Sequence, residues 1–107
     1  MERAASHFRV ILEAVVLDVV AGRETEYEAA FAEAKPIIAG MPGFRWLRLE
    51  RCLEVPNRFL LLVEWATLED HTVGFRESAE YQRWRALLHD FYDPFPTVEH
   101  YATVHTA

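Results

Sequence analysis

Two segments are apolar on both of their alternating faces, and this limits the folds open to the chain more than any other feature. In "FRVILEAVVLDVV", residues 8–20, Phe8, Val10, Leu12, Ala14 and Val16 fall on one side, with Ile11, Val15, Leu17 and Val19 on the other. "FLLLVEWA", residues 59–66, has the same character. Successive side chains of a strand point to opposite faces, so a strand apolar on both faces must be covered on both. The sheet holding these strands needs a layer on each side.

The remaining pattern supplies one layer. "RETEYEAAFAEAKPIIAG", residues 23–40, repeats apolar positions at Tyr27, Ala30, Phe31, Ala34, Ile37 and Ile38, the three- and four-residue spacing of an amphipathic helix. Glu24, Glu26 and Glu28 suit its positive N-terminal end. Pro36 removes a hydrogen bond near its last turn, and Gly40, Pro42 and Gly43 stop it. "FRWLRLERCLE", residues 44–54, alternates, with Leu47, Leu49 and Leu53 on one face and Phe44, Trp46, Arg48, Glu50 and Cys52 on the other. "VPNR" is a turn signal before the strand at 59–66. "TLED" at Thr67 has the form of a helix-capping box, and Ser78 offers a second start. Gly74 lies between the two, so the pattern predicts a short helix, a break, and a longer helix with the stripe Tyr81, Trp84, Leu87, Leu88 and Phe91. "DPFP" ends it, and "TVEHYATVH", residues 97–105, reads as a last strand.

The order β-α-β-β-α-β is the split βαβ, ferredoxin-like arrangement: α+β, one antiparallel sheet with both helices on one face. Residues 1–7 read as a flexible N-terminus and residues 8–107 as one domain, consistent with a length of 107 residues. The helices leave the second sheet face bare. A second copy of the sheet, related by a twofold axis, is the simplest cover. The expectation is a homodimer with its sheets face to face.

Charge and composition exclude some partners. Lys and Arg number 11 against 17 Asp and Glu, a net charge of −6, which argues against nucleic acid. No apolar run reaches the roughly 18–20 residues needed to span a bilayer. The lone Cys52 cannot form an internal disulfide, which points to a reducing, cytoplasmic setting. His71, His89 and His100 show no metal-ligand spacing, so no metal is expected. Phosphate-binding glycine loops and a nucleophile elbow are absent, and no cofactor is expected.

The stretch "EWATLEDHTVGFRESAEYQRW", residues 64–84, holds the candidate site. Together with "MPGF" and "VEHYATV" it resembles the antibiotic biosynthesis monooxygenase family. The resemblance runs from about residue 8 to residue 105, and rests most on Trp65, "EDH" and F-x-x-S-x-x-Y-x-x-W. It implies a ferredoxin-like chain whose two copies form a small dimeric α/β barrel that oxygenates a phenolic or quinol-like aromatic with neither metal nor flavin. An electron-rich phenol, once deprotonated, reduces dioxygen itself, so the protein need supply an apolar pocket, a base and exclusion of water.

On that reading His71 is the proton acceptor or hydrogen-bond partner, since imidazole titrates near neutrality. Without that role it would be an exposed residue beside Glu69 and Asp70. Trp65, Phe75, Tyr81, Trp84 and Leu88 shape the substrate-binding wall, although the same side chains would serve equally as core. His100 is placed to face the covered side of the sheet and hydrogen-bond there, whereas His89, beside Asp90, reads as solvated. A dimer that binds a small ligand without oxygen chemistry is the alternative. Haem degradation is disfavoured, because the first strand lacks the asparagine that haem-degrading relatives use.

Overall fold

The computed structural model describes residues 10–107. The flexible start expected over residues 1–7, and Phe8 in the first strand, lie outside the described residues. The elements are β1 (Ile11–Asp18), α1 (Glu24–Ala39), β2 (Phe44–Arg51), β3 (Arg58–Trp65), a π-helical turn (Asp70–Phe75), α2 (Ala79–Leu88), a 3-10 turn (His89–Phe91) and β4 (Val98–Tyr101). The strands form one antiparallel sheet in the order β2-β3-β1-β4. This is the expected ferredoxin-like topology, and the sheet is open, not closed on itself.

The two doubly apolar segments become β1 and β3, the central pair, in register from Ile11↔Trp65 to Asp18↔Arg58. Ile11, Val15 and Leu17 of β1 and Phe59, Leu61, Val63 and Trp65 of β3 point toward the helices and are buried. Tyr27, Phe31, Ala34 and Ile38 of α1 and Trp84 and Leu88 of α2 close over them. Their burial is the main stabilising term, at roughly 1.5–3 kcal/mol for each large side chain.

Three local features differ from the simple pattern. A register shift between Phe44 and Trp46 puts Arg45 in a bulge. Phe44 therefore turns back to the helix side, edge-on to Trp65 with ring centroids 6.1 Å apart, and does not share a face with Trp46. Leu53 lies beyond β2 in the hairpin and is exposed. The last strand is shorter than residues 97–105, because only Val98–Tyr101 find partners on β1.

The helix break is present but displaced. Thr67 Oγ1 accepts the Asp70 N–H at 3.1 Å, and Ser78 Oγ accepts the Tyr81 N–H at 3.1 Å. The two starts thus hold separate pieces, with the turn at residues 76–78 between them. Gly74 itself lies inside the π-helical turn. Gly43, in "MPGF", takes φ +84°, and the Asp70 side chain occupies the space a Cβ would need. Its carbonyl accepts the Ala66 N–H at 2.8 Å. This contact seats the segment that carries His71.

The face away from the helices carries Leu12, Ala14 and Val16 of β1 with Leu60 and Leu62 of β3, bordered by Thr97, Glu99 and Tyr101. Val16 is 51% exposed and Tyr101 52%. Among the described residues nothing covers this apolar face. No helix of the described residues is long and apolar enough to cross a membrane.

Candidate functional site

Glu13 interrupts the inward face of β1 and is 5% exposed; His71, on the π-helical turn, is 2% exposed. Burying such groups is costly unless each is bonded, and here each is. The Trp65 indole N–H donates to Glu13 Oε1 at 2.9 Å. His71 Nε2 lies 3.4 Å from the same oxygen. On the opposite edge of the ring, His71 Nδ1 lies 2.8 Å from His100 Nε2, with the tautomers deciding which nitrogen donates. Trp65 stacks on the His71 ring at 5.4 Å and 23°. Among the described residues no buried side-chain nitrogen or oxygen lacks a partner.

Local structure explains the arrangement. The tryptophan ends β3 opposite Ile11, so its indole lies over the start of β1 and reaches Glu13. His100 pairs with Glu13 across the β1–β4 ladder, which puts both on the helix side. The wide π-helical turn brings His71 and Phe75 inward together, and both are buried.

Burial pushes the Glu13 carboxyl up to about 7, against the smaller opposing pull of the Trp65 hydrogen bond and the Arg76 charge. It pushes His71 down to about 3, with help from Arg76 and His100. His100 is also lowered, by burial and then Arg76. A neutral cluster around Glu13 follows, whose carboxyl changes charge near neutral pH. His71 meets Glu13 and His100 through different nitrogens, so a single metal ion at either edge could not collect all three. No cluster of three or more metal-ligating side chains occurs among the described residues.

Glu13 and His71 form part of the wall of a cavity of about 250 Å³ between the sheet and α2. Phe75, Tyr81 and Trp84 line it, joined by Arg76, His89 and Tyr92. Of the residues singled out from sequence, His71, Phe75, Tyr81 and Trp84 meet at this cavity. Trp65 stands behind His71 rather than in the wall, and Leu88 is fully buried core. His71 is buried, not an exposed helix residue. His89 borders the cavity, where burial first and then Arg85 and Arg76 lower its pKa, so it is not simply solvated. Tyr92 donates to or accepts from Tyr27 at 2.9 Å, and burial pushes its hydroxyl up to about 12.

The sequence pattern alone does not single out Glu13, an acid inside the apolar segment of residues 8–20. The available signal was its phase: it falls on the same face as Ile11, Val15 and Leu17, where a carboxyl needs a reason to be.

An open four-stranded sheet backed by two helices, with a cavity between the layers, defines the class of small ferredoxin-like α+β proteins. The sequence pattern of the antibiotic biosynthesis monooxygenase family matches residues 10–87, and the chain belongs to that family. YczJ, an uncharacterized protein of Bacillus subtilis (strain 168), is 56% identical over 95 residues, covering 89% of this chain and all of that protein. A Bordetella bronchiseptica crystal structure bearing the family's name is 36% identical with a TM-score of 0.85, over 90% of this chain and 98% of the other. A mutant form of SnoaB, a cofactor-independent oxygenase from Streptomyces nogalater, aligns with a TM-score of 0.67 at 19% identity, over 92% of this chain and 95% of that one. At that identity the likeness is one of fold.

Proposed function

We propose that the chain is a cofactor-independent monooxygenase acting on a small phenolic or quinol-like aromatic held in the cavity beside Glu13. The observation that carries this reading is a buried carboxyl, with its pKa near 7, in the wall of an aromatic cavity. A base that titrates near working pH suits proton abstraction, and aromatic walls suit a flat substrate. The cavity is smaller than the roughly 300–1,000 Å³ typical of drug-sized ligands and larger than the about 150 Å³ that holds benzene. One ring with substituents, or two fused rings, fits best.

The chemistry closes without an added reductant. The Glu13 carboxylate takes the phenolic proton, leaving a phenolate whose charge faces the Arg76 guanidinium. The phenolate gives electrons to dioxygen and a carbon–oxygen bond forms. The protonated Glu13 returns its proton to the resulting peroxide, and the O–O bond breaks as the ring hydrogen leaves. A quinone and water result, and the substrate supplies every electron that dioxygen takes up. His71 serves as hydrogen-bond partner to Glu13, since both of its ring nitrogens already face protein groups. Phe75, Tyr81 and Trp84 hold the ring, while Trp65 and Leu88 back them. The working unit is a homodimer joined through the uncovered apolar sheet faces, located in the cytoplasm.

Oxygen uptake with a panel of hydroquinols and naphthols tests this reading. The expected result is protein-dependent uptake with quinone formation, lost in Glu13→Gln. Saturable binding of the same compounds with no uptake would replace it with the ligand-binding alternative.

A further inference from the structure

Glu13 is only 5% exposed, and a substrate seated in the cavity would cover what remains, so a resting protonated carboxyl needs another way to lose its proton before it can act as a base. We propose that Glu13 exchanges its proton with solvent through His71 and His100, so that the three residues form a one-proton path from the cavity wall to the sheet edge. This rests on the reading of Glu13 as the base. The three groups stand in series. Glu13 Oε1 faces His71 Nε2 at 3.4 Å, and His71 Nδ1 faces His100 Nε2 at 2.8 Å. His100 lies on β4, an edge strand, and is half-buried. Unlike Glu13 and His71, it is not part of the cavity wall.

The chain satisfies its contacts in two states. In the first, Glu13 is protonated and donates to His71 Nε2, and the His71 Nδ1–H donates to His100 Nε2. In the second, Glu13 is a carboxylate accepting from the His71 Nε2–H, and His71 Nδ1 accepts from the His100 Nε2–H. Passing from first to second moves the Glu13 proton to His71 Nε2 and the His71 Nδ1 proton to His100 Nε2. The His100 Nδ1 proton goes to water. One proton leaves, no ring flips, and the Trp65 N–H keeps its bond to Glu13 throughout. The carboxylate is then ready for substrate, and the reverse sequence restores the resting acid. Arg76 and His89 also face the cavity, but neither stands between these groups. A purely structural role for His100 would require only a hydrogen-bonding partner for His71.

That distinction sets the test. Glutamine at position 100 can keep the bond to His71 but cannot relay a proton. Imidazole 15N NMR on labelled protein reads the exchange of the His71 ring proton with water. In His100→Gln it should slow by about tenfold or more, and in His100→Ala added free imidazole should restore it. Glu13→Gln should abolish the near-neutral titration felt by both histidines. Unchanged exchange in a folded His100→Gln protein would overturn the path, whatever the oxygen assay shows. Slowed exchange in a protein that takes up no oxygen with any phenol would keep the path and sink the oxygenase reading.

Discussion

Glu13 and His71 make opposite demands on pH. The carboxyl has its folded pKa raised from 4.5 to about 7. Its contribution is therefore intact below about 4.5, and stability is lost as pH rises toward 7. His71 has its folded pKa lowered from 6.5 to about 3, so its contribution is intact above about 6.5 and is lost as pH falls toward 3. Between about 4.5 and 6.5 the two slopes oppose each other, and stability should vary little from this pair. Glu13→Gln removes one of them. Relative to the native chain, the variant should gain stability progressively from about pH 5 to about pH 7.5, by an amount on the order of 3 kcal/mol, read from urea midpoints across pH. His71→Ala should lose about 1–3 kcal/mol, because it strands Glu13 and His100 without their shared partner. Here the sequence was legible only in part. His71 was visible as a histidine beside a helix start, but a lone acid in an apolar run gives no sign of the indole and imidazole that will meet it.

The elements were largely legible, since period-two and period-3.6 patterns record which face is buried. What the pattern misplaced depends on one-residue events. The bulge at Arg45 returns Phe44 to the helix side, and the π-helical turn moves the break from Gly74 to residues 76–78. Neither changes the spacing of apolar residues enough to be read. Both features lead to the site, as does Gly43. Gly43→Ala should cost more than the roughly 1–2 kcal/mol of a left-handed conformation alone, because Asp70 must also move. It should loosen the turn bearing His71, seen as faster amide exchange over Asp70–Phe75. Ser78→Ala should lose about 1 kcal/mol for the helix cap and should also free the Phe75 carbonyl, which accepts from the Ser78 hydroxyl at 2.6 Å, so any faster exchange should be confined to the Phe75 end of that turn.

For the whole molecule, the proposed dimer rests on the face of β1 and β3 turned away from the helices. Doubly apolar strands were the plainest signal in the chain, and among the described residues nothing covers Leu12, Val16, Leu60 and Leu62. Leu62→Arg should convert the proposed dimer to a folded monomer in light scattering, with its far-ultraviolet circular dichroism unchanged. A variant that remains dimeric would place the interface elsewhere. Trp84→Ala, on the other side of the sheet, should cost about 3–5 kcal/mol and leave assembly intact. The cavity itself was not legible, because apolar side chains at helical spacing look the same whether they meet one another or surround a space.

Trp65 holds the oxygen of Glu13 by its pyrrole N–H, and this makes it an optical reporter. Excitation shifts the electron density of an indole from its pyrrole ring toward its benzene ring. A negative charge arriving beside Nε1 then favours the excited state over the ground state. With Trp46 and Trp84 replaced by phenylalanine, the emission of Trp65 should move to longer wavelength as Glu13 ionises around pH 7. The colour of the protein's own fluorescence would then report whether its buried acid is loaded.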